Sequence, residues 1–288
     1  MNSPHPLVSC LCLTRQRPLQ LKRAIGSYIS QTYRPLELLV LVRDDDPESK
    51  AVVLSYGRDD IRLIEFAGQP ERSLGELRNL VISHSRGEYF CQWDDDDWYH
   101  NERVEIQMSC LQPHAKSGSV LAKNILYHMP NREAYVSPIG PWANSILCRK
   151  DIITGEIRYP HVSLQEDSIF LNRLFGINCL IPVLAPWTYI YVYHGKNSWH
   201  SRHFRRLFGH SKKLPPAISA LVTDVLEGKL DNAEASRLLM REEVLKEMDY
   251  FYFPPLAKRQ IFANICQGSA YLLQRIVASV INFARRAS

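Results

Sequence analysis

The stretch GEYFCQWDDDDWYH, residues 87–100, joins an apolar run to four consecutive aspartates, Asp94 to Asp97. Four carboxylates this close repel one another, and burial makes each charge more costly. A cation or a set of hydrogen-bond donors is therefore expected beside them. Because the apolar residues have the length of a buried strand, we predict that the acids lie at the C-terminal end of that strand.

The segments before this stretch alternate between strand and helix patterns. Apolar runs predict buried strands at 7–13, 36–42 and 61–67, with helices from Pro18 and near 47–56. Ser73 and Glu76 form a capping-box pattern, which predicts a helix that runs to about Ser85. This order predicts an α/β fold, in which the ligand crevice lies at the carboxyl ends of the strands.

The alternation weakens after the four acids. We predict helices near 100–111 and from about Gln165, and strands near 118–126, 144–149, 179–183 and 187–193. From residue 215 the pattern is helical, over 215–228, 231–248 and about 256–285. We therefore predict an α/β domain over residues 1–205 and a helical C-terminal extension over residues 206–288.

The composition is that of a soluble globular protein. The chain has 288 residues, of which 45% are hydrophobic and 23% are charged. Its net charge is +5, and its basic residues are clustered, among other places at 196–213, which suits a phosphate-bearing ligand or an anionic membrane surface better than nucleic acid. The alternative for any one cluster is a solvated basic face. The seven cysteines have irregular spacing and resemble small buried hydrophobes in a reducing cytosol. No signal peptide or membrane span is recognised, so we expect a cytoplasmic protein.

The acids themselves suggest a metal site. Asp94 and Asp96 can direct two carboxylates at one divalent cation, and such hard oxygen ligands suit Mg²⁺ or Mn²⁺. Water and phosphate oxygens of a substrate would complete the coordination shell. For Asp97 we expect instead a solvated turn or a cap on the following helix.

Four segments carry a family resemblance. They resemble, in order, segments of the family 2 glycosyltransferases of GT-A fold, over about residues 5–200: PLVSCLCLTRQRP, LELLVLVRDDDPES, SLGELRNLVISHSRGEYFCQWDDDDWYHNERV and LQEDSIF. The resemblance implies a Rossmann-like mixed sheet flanked by helices. It also implies metal-dependent, inverting transfer of one sugar from a nucleotide-diphospho-sugar, most plausibly a UDP-sugar. The acceptor would be a saccharide or a lipid-linked saccharide, as in cell-surface polysaccharide synthesis.

The resemblance also assigns nucleotide contacts. It places Thr14, Arg17, Asp44 and Asp45 around the base and ribose, although two motifs differ from the family pattern. Leu13-Thr14-Arg15-Gln16 stands where Pro-Thr-Tyr-Asn is usual, and Asp44-Asp45-Asp46-Pro47 stands where Asp-Asp-Gly-Ser is usual. Arg78, Asp94 and Asp95 would face the nucleotide, and Asp94 with Asp96 would form the Asp-x-Asp motif. Without the resemblance, Arg78 would be interpreted as a surface helix arginine.

The segment LQEDSIF, residues 164–170, contains the candidate catalytic base. An inverting transfer needs a carboxylate that accepts the proton of the acceptor hydroxyl. The resemblance assigns this role to Asp167 and a positioning role to Glu166, whereas either acid could simply cap the helix.

His194 and Trp142 could each have either a functional or a structural role. His194 follows an apolar strand and is the candidate third metal ligand, or else a packed or surface histidine. Trp142 could stack on an acceptor sugar, or else fill the core. The Gln-x-x-Arg-Trp pattern of processive synthases is absent, which favours single addition.

The last predicted helix is basic and amphipathic. Residues 256–286 could contact a membrane surface, or could cover the domain or a partner subunit. Two other functions stay open for the whole chain. They are a nucleotide-sugar-binding module without turnover, and a sugar-nucleotide pyrophosphorylase, for which the glycines of a phosphate-wrapping loop are missing.

Overall fold

The computed structural model describes residues 5–199 and 201–248. The strands in this part of the chain are β1 (Val8–Thr14), β2 (Leu36–Arg43), β3 (Ile61–Phe66), β4 (Tyr89–Gln92), β5 (Trp98–Tyr99), β6 (Gly118–Leu121), β7 (Ile125–His128), β8 (Glu133–Val136), β9 (Leu147–Arg149), β10 (Leu180–Val183), β11 (Tyr189–Tyr193) and β12 (Lys212–Lys213). The helices are α1 (Pro18–Ile29), α2 (Pro47–Ser55), α3 (Leu74–His84), α4 (Arg103–Ser109), α5 (Glu166–Gly176), α6 (Ser201–Gly209), α7 (Pro216–Leu226), α8 (Asn232–Leu239) and α9 (Glu242–Glu247).

A seven-stranded sheet has the order β10-β6-β9-β4-β1-β2-β3. Strand β9 is antiparallel to β4 and β6, whereas β1 is parallel to both β2 and β4. The predicted α/β fold with a mixed sheet flanked by helices is confirmed. Because β1, β2 and β4 are parallel neighbours, their carboxyl ends meet at one edge of the sheet.

Strand β2 shows why this sheet forms. Its successive residues Leu38 to Val42 are all buried, although alternate side chains point to opposite faces. Leu38, Val40 and Val42 join one apolar cluster, while Leu39 and Leu41 join a second. A strand that is buried on both faces is typical of a sheet with helices on both sides.

A second sheet has the order β12-β8-β7-β11-β5. Strand β5 pairs antiparallel with β11 and follows the four acids directly. The segment 93–97 therefore leaves one sheet at the end of β4 and enters the other at β5. The acids lie where the two sheets meet.

The capping box at the start of α3 is confirmed. Ser73 accepts from the backbone N–H of Glu76, and the Glu76 carboxylate accepts from the backbone N–H of Ser73 at 2.9 Å. Gly75 allows this end of the helix to approach the chain before α5, because a Cβ there would lie 1.8 Å from the carbonyl oxygen of Pro160. This contact holds α3 close to the loop that precedes α5.

Several predicted elements differ from the structure. The single helix predicted over 231–248 is wrong, because α8 ends at Leu239 and α9 begins at Glu242. Strands β5, β8 and β12 and helix α6 were not predicted. Strand β12 pairs with β8, and Thr223 of α7 bonds to Tyr127 of β7 at 2.8 Å. The division at residue 205 stays a prediction, and the helix predicted at 256–285 lies outside the described residues.

Cysteine burial follows the sequence expectation. The six cysteines of the described residues are all buried and form no disulfide. None of the helices in residues 5–199 and 201–248 combines the length and hydropathy that crossing a bilayer requires.

Candidate active site

Asp95 and Asp96 are held by groups at the end of β1. The Thr14 hydroxyl donates to Asp95 Oδ2 at 2.7 Å. Arg17 Nη1 lies 3.1 Å from Asp95 Oδ1 and 2.9 Å from Asp96 Oδ2. Burial and the neighbouring Asp96 raise the pKa of Asp95 to about 7, although Arg17 opposes this shift. The end of β1 thus supplies a cation and a donor to the acids, as predicted for paired carboxylates.

His194 reaches the same carboxylate from the end of β11. Its Nε2 lies 3.0 Å from Asp96 Oδ2, and its Nδ1 accepts from the backbone N–H of Lys196 at 3.2 Å. Because Nδ1 is the acceptor, Nε2 carries the proton and donates to Asp96. Burial opposes the charge of Asp96, but His194 and Arg17 outweigh it and lower the pKa of that carboxyl. His194 orients Asp96 here, and its role as a direct metal ligand stays a prediction.

Asp97 lies in a different environment from the one that the sequence predicted. It was expected in a solvated turn or at a helix N-terminus, but it is fully buried and α4 begins only at Arg103. Its carboxylate accepts from the Tyr189 hydroxyl at 2.6 Å and from the Val192 backbone N–H at 2.8 Å. Burial and the nearby Asp96 raise the pKa of Asp97 well above its usual range. Asp97 therefore anchors the acidic segment to β11.

Two arginines near the acids, the half-buried Arg23 and the buried Arg103, were not identified from the sequence. Arg23 of α1 donates through Nη2 to the carbonyl oxygen of Asp96 and through Nε to that of Asp97 at 3.4 Å. The Arg103 guanidinium is fully buried and lies 4.5 Å from the centre of the Tyr99 ring and 5.0 Å from that of Tyr189. Their contacts depend on the tertiary structure, so no local pattern marks them.

Arg78 connects three elements of the site. Its Nε lies 3.1 Å from Glu166 Oε1 of α5, and its Nη2 lies 3.5 Å from Asp94 Oδ1. The Gln92 amide oxygen, when the amide is oriented to satisfy both of its ends, accepts from Nη1 and Nη2 at 2.9 Å. Burial opposes the charge of Arg78, but Asp94 and the neighbouring acids outweigh it and raise its pKa. Arg78 is therefore a buried, ion-paired residue and not a surface arginine.

These groups border one cavity of about 410 Å³. The predicted residues that line it are Arg17, Arg78, Asp94, Asp95, Asp96, Trp142, Glu166 and Asp167. Five of them are carboxylates and two are guanidinium groups, which is a formal excess of three negative charges when all five acids are ionised and a smaller one when Asp95 is protonated. An anionic diphosphate would be repelled from this cavity unless a cation accompanied it.

Asp167 lies at the start of α5 with part of its carboxylate uncommitted. Oδ1 accepts from the backbone N–H of Ser168 at 2.6 Å and from the Ser168 hydroxyl at 3.3 Å. Within residues 5–199 and 201–248, no hydrogen bond uses Oδ2. Glu166, by contrast, is buried and committed to Arg78. The two adjacent acids therefore differ, and Asp167 is the one that is free to accept a proton.

Asp44 and Asp45 do not line the cavity. Asp44 Oδ1 accepts from the backbone N–H of Gly68 at 3.1 Å, and Asp45 pairs with Arg43 at 3.1 Å. Both are exposed, whereas Asp46 is buried and caps α2 through the backbone N–H of Ser49. Their role in nucleotide binding stays a prediction.

Trp142 and Asn144 also line the cavity that the acids border. Trp142 is half-buried at the cavity and is not a core residue. Asn144 is 9% exposed, and its buried Oδ1 has no hydrogen-bond partner among the described residues. A buried, unpaired amide beside a cavity is a group that a polar ligand can satisfy. No pattern in the sequence marks Asn144.

The carboxylates of the cavity are the groups that could hold a metal ion. In the described part of the chain, no three His, Cys, Asp or Glu side chains form a complete metal site. Asp94 and Asp96 nevertheless provide two carboxylates on one cavity wall, next to an excess of negative charge. Mg²⁺ and Mn²⁺ are commonly held by one or two carboxylates together with substrate phosphates. The residues therefore fit a metal that the substrate helps to bind.

Solved structures with a similar fold bind nucleotides. The chain superposes on S. aureus TarS 1-349 in complex with UDP with a TM-score of 0.53 and 12% identity, covering 98% of this chain and 92% of that one. It superposes on the mannosyltransferase PcManGT from Pyrobaculum calidifontis, in complex with GDP-Man and Mn²⁺, with a TM-score of 0.53 and 15% identity. That match covers 96% of this chain and 87% of PcManGT. At sequence identities of 12% and 15%, the likeness shows a shared fold alone.

Curated relatives match shorter segments. The GalNAc(5)-diNAcBac-PP-undecaprenol beta-1,3-glucosyltransferase of Campylobacter jejuni is 25% identical over 174 residues, which is 59% of this chain and 55% of that enzyme. An uncharacterized glycosyltransferase of Rickettsia conorii is 34% identical over 114 residues, which is 38% of this chain. The chain spans 18% of the length of the Rickettsia protein.

A family model covers the part of the chain that builds the cavity's acidic wall. Residues 9–151 match the model described as glycosyl transferase family 2. This segment contains β1, α3, β4 and all four acids, in the order that the resemblance of the sequence predicted. The chain therefore belongs to glycosyltransferase family 2.

Proposed function

We propose that this chain transfers one sugar from a nucleotide-diphospho-sugar to a saccharide or lipid-linked saccharide, with inversion at the anomeric carbon. The observation that best supports this proposal is that Asp167 lines the same cavity as Asp94 and Asp96. A general base and a diphosphate-binding centre must lie on two sides of the transferred sugar, and this cavity provides both. A volume of about 410 Å³ is in the range of small-molecule sites.

The donor would bind at the carboxyl ends of β1 and β4. We assign Arg17, Arg78 and Asp95 to the nucleotide, with Thr14 positioning Asp95 through its hydroxyl. Asp44 and Asp45, at the end of the neighbouring strand β2, would reach the base. The UDP complex of TarS supports a UDP-sugar as the donor.

Asp94 and Asp96 would hold Mg²⁺ or Mn²⁺, and PcManGT was solved with Mn²⁺ and GDP-Man. When bound, such a cation neutralises the departing diphosphate. Arg17 and His194 keep Asp96 ionised and oriented. Arg78 orients Asp94 and Glu166 through its ion pairs, and it opposes the burial that raises the pKa of both carboxyls.

Asp167 would act as the general base. Its free Oδ2 accepts the proton of the acceptor hydroxyl as that oxygen forms a bond to the anomeric carbon. The bond from the anomeric carbon to the donor phosphate breaks in the same step, and the nucleoside diphosphate leaves. Attack from the side opposite the diphosphate inverts the anomeric configuration.

The acceptor would enter past Trp142, whose ring can stack on a sugar. The name of the Campylobacter relative supports a lipid-linked saccharide as acceptor. We further propose that residues 206–288 form an extension of the catalytic domain over 1–205.

Replacement of Asp167 by Asn tests the proposed function. We expect Asp167→Asn to bind UDP with Mn²⁺ like the wild type and to lose at least ~10²-fold in turnover, because a general base contributes about that much. The measurement is release of the matching nucleoside diphosphate (UDP, GDP or dTDP) from a panel of UDP-, GDP- and dTDP-sugars, with the exposed Asp59→Asn as the matched control. Equal turnover in Asp167→Asn would remove Asp167 from this role. Nucleotide-sugar binding by the wild type without any turnover would favour the binding module.

A further inference from the structure

Exposed apolar side chains are concentrated at the mouth of the cavity. Ile139 and Leu164 line the cavity and are 50% and 45% exposed. Val162, two residues before Leu164, is 39% exposed. These are three of the seven large exposed hydrophobic residues in the described part of the chain. Exposed apolar residues that cluster in this way mark interaction surfaces.

Helix α6 places positive charge beside the same mouth. Its residue His203 lines the cavity, and the His203 ring stacks on Trp199 at 4.5 Å. The helix is anchored by Phe204, which is buried and lies 4.4 Å from the Tyr193 ring. The orientation of α6 is therefore fixed by aromatic packing on β11.

The outer face of α6 carries three arginines. Arg202, Arg205 and Arg206 are exposed, and none forms an ion pair with another residue of 5–199 or 201–248. Their charges are therefore open to solvent and available to an anionic surface. The acidic lining of the cavity attracts cations, whereas these arginines attract anions.

We propose that the mouth of the cavity docks on an anionic lipid surface. Ile139, Val162 and Leu164 would enter the headgroup region, and the α6 arginines would pair with lipid phosphates. Apolar and basic side chains that lie side by side are the pattern that binds membrane interfaces. A protein partner would need matching carboxylates and an apolar groove, whereas an anionic bilayer supplies both features everywhere.

Docking on a membrane would also determine how a lipid-linked acceptor reaches the cavity, an inference that rests on the proposed function. A protein seated in this way would have its cavity open toward the bilayer. The saccharide of a lipid-linked acceptor would then reach Asp167 while its lipid stayed in the membrane. None of the residues of this surface belongs to the segment 256–286, for which membrane contact was one of the alternatives that the sequence left open.

Vesicle binding by the full chain tests this proposal. We expect the wild type to sediment with vesicles of phosphatidylglycerol and phosphatidylcholine in equal parts, and not with pure phosphatidylcholine. The triple variant Arg202→Ser/Arg205→Ser/Arg206→Ser should bind about 100-fold more weakly, because each of the three basic residues near such a surface contributes about fivefold. The triple variant Ile139→Ser/Val162→Ser/Leu164→Ser should also bind more weakly. Matched controls are the exposed Leu54→Ser and Arg237→Ser, which should bind like the wild type.

Three outcomes would overturn the proposal. They are no sedimentation of the wild type, wild-type binding by both triple variants, and a loss that is confined to the arginine variant. The last would indicate charge attraction without docking at the mouth. Circular dichroism and thermal unfolding of the same preparations check that the variants are folded, and UDP binding with Mn²⁺ is measured for the wild type. Absence of UDP binding in the wild type would contradict the proposed function and leave the vesicle result standing.

Discussion

Four consecutive aspartates occupy four different environments at the residue scale. Asp94 faces Arg78, Asp95 accepts from Thr14, Asp96 lies between Arg17 and His194, and Asp97 is buried against β11. The sequence identified the cluster because adjacent acids after an apolar run are a local signal. It misassigned Asp97 because the hydrogen-bond donors of that residue lie 92 and 95 positions away in the chain.

Arg78 allows a prediction at the same scale. Replacement of Arg78 by Met leaves the buried Glu166 and the half-buried Asp94 without their shared cation, which should lower the free energy of unfolding by about 3–5 kcal/mol. Urea unfolding measures this loss. The double variant Arg78→Met/Glu166→Gln should be more stable than Arg78→Met alone, because one uncompensated charge has been removed. A double variant that is less stable than Arg78→Met would contradict this account of the ion pairs.

At the scale of elements, the site depends on which strands end together. Strands β1 and β4 are parallel neighbours, and β4 continues through the acids into β5 of the second sheet. The apolar runs and the capping box predicted β1 to β4 and α3, because these signals are local. The two-residue strands β5 and β12 are too short to show a pattern. The break between α8 and α9 was missed because Met240 and Arg241 are ordinary helix residues.

Glu37 ties three of these strands together and allows a prediction about pH. Its buried carboxylate accepts from Ser9 Oγ of β1 at 2.7 Å, from the backbone N–H of Arg86 at 2.6 Å and from Arg62 of β3 at 2.9 Å. Burial opposes its charge, but these donors outweigh it and lower the pKa of Glu37. The folded state therefore binds this proton less tightly than the unfolded state does.

The stability contributed by Glu37 should be present above its ordinary pKa of about 4.3 and should disappear as the pH falls through the lower folded-state pKa. We expect Glu37→Gln to be less stable than the wild type at pH 7 and to lose less stability on acidification. Urea midpoints between neutral and acidic pH measure both effects, with the exposed Glu65→Gln as control. Parallel acid profiles for wild type and Glu37→Gln would contradict the assignment. UDP binding should be unchanged, because Glu37 does not line the cavity.

At the scale of the whole molecule, charges that face outward and inward have opposite signs. The cavity has an excess of negative charge, while α6 beside its mouth carries three exposed arginines. The sequence predicted both groups of charges as patches. It could not show that they border one opening, because that depends on how α6 packs on β11.

The decisive measurement is calorimetric titration of UDP into the folded chain, with Mn²⁺ and with a chelator. We expect the wild type to bind UDP more than about tenfold more tightly with Mn²⁺, because a cation held by Asp94 and Asp96 would offset the charge of the diphosphate. The double variant Asp94→Asn/Asp96→Asn should lose this difference. Equal UDP affinity with Mn²⁺ and with chelator, or no UDP binding at all by the folded wild type, would contradict a cation-dependent donor site at the end of β4.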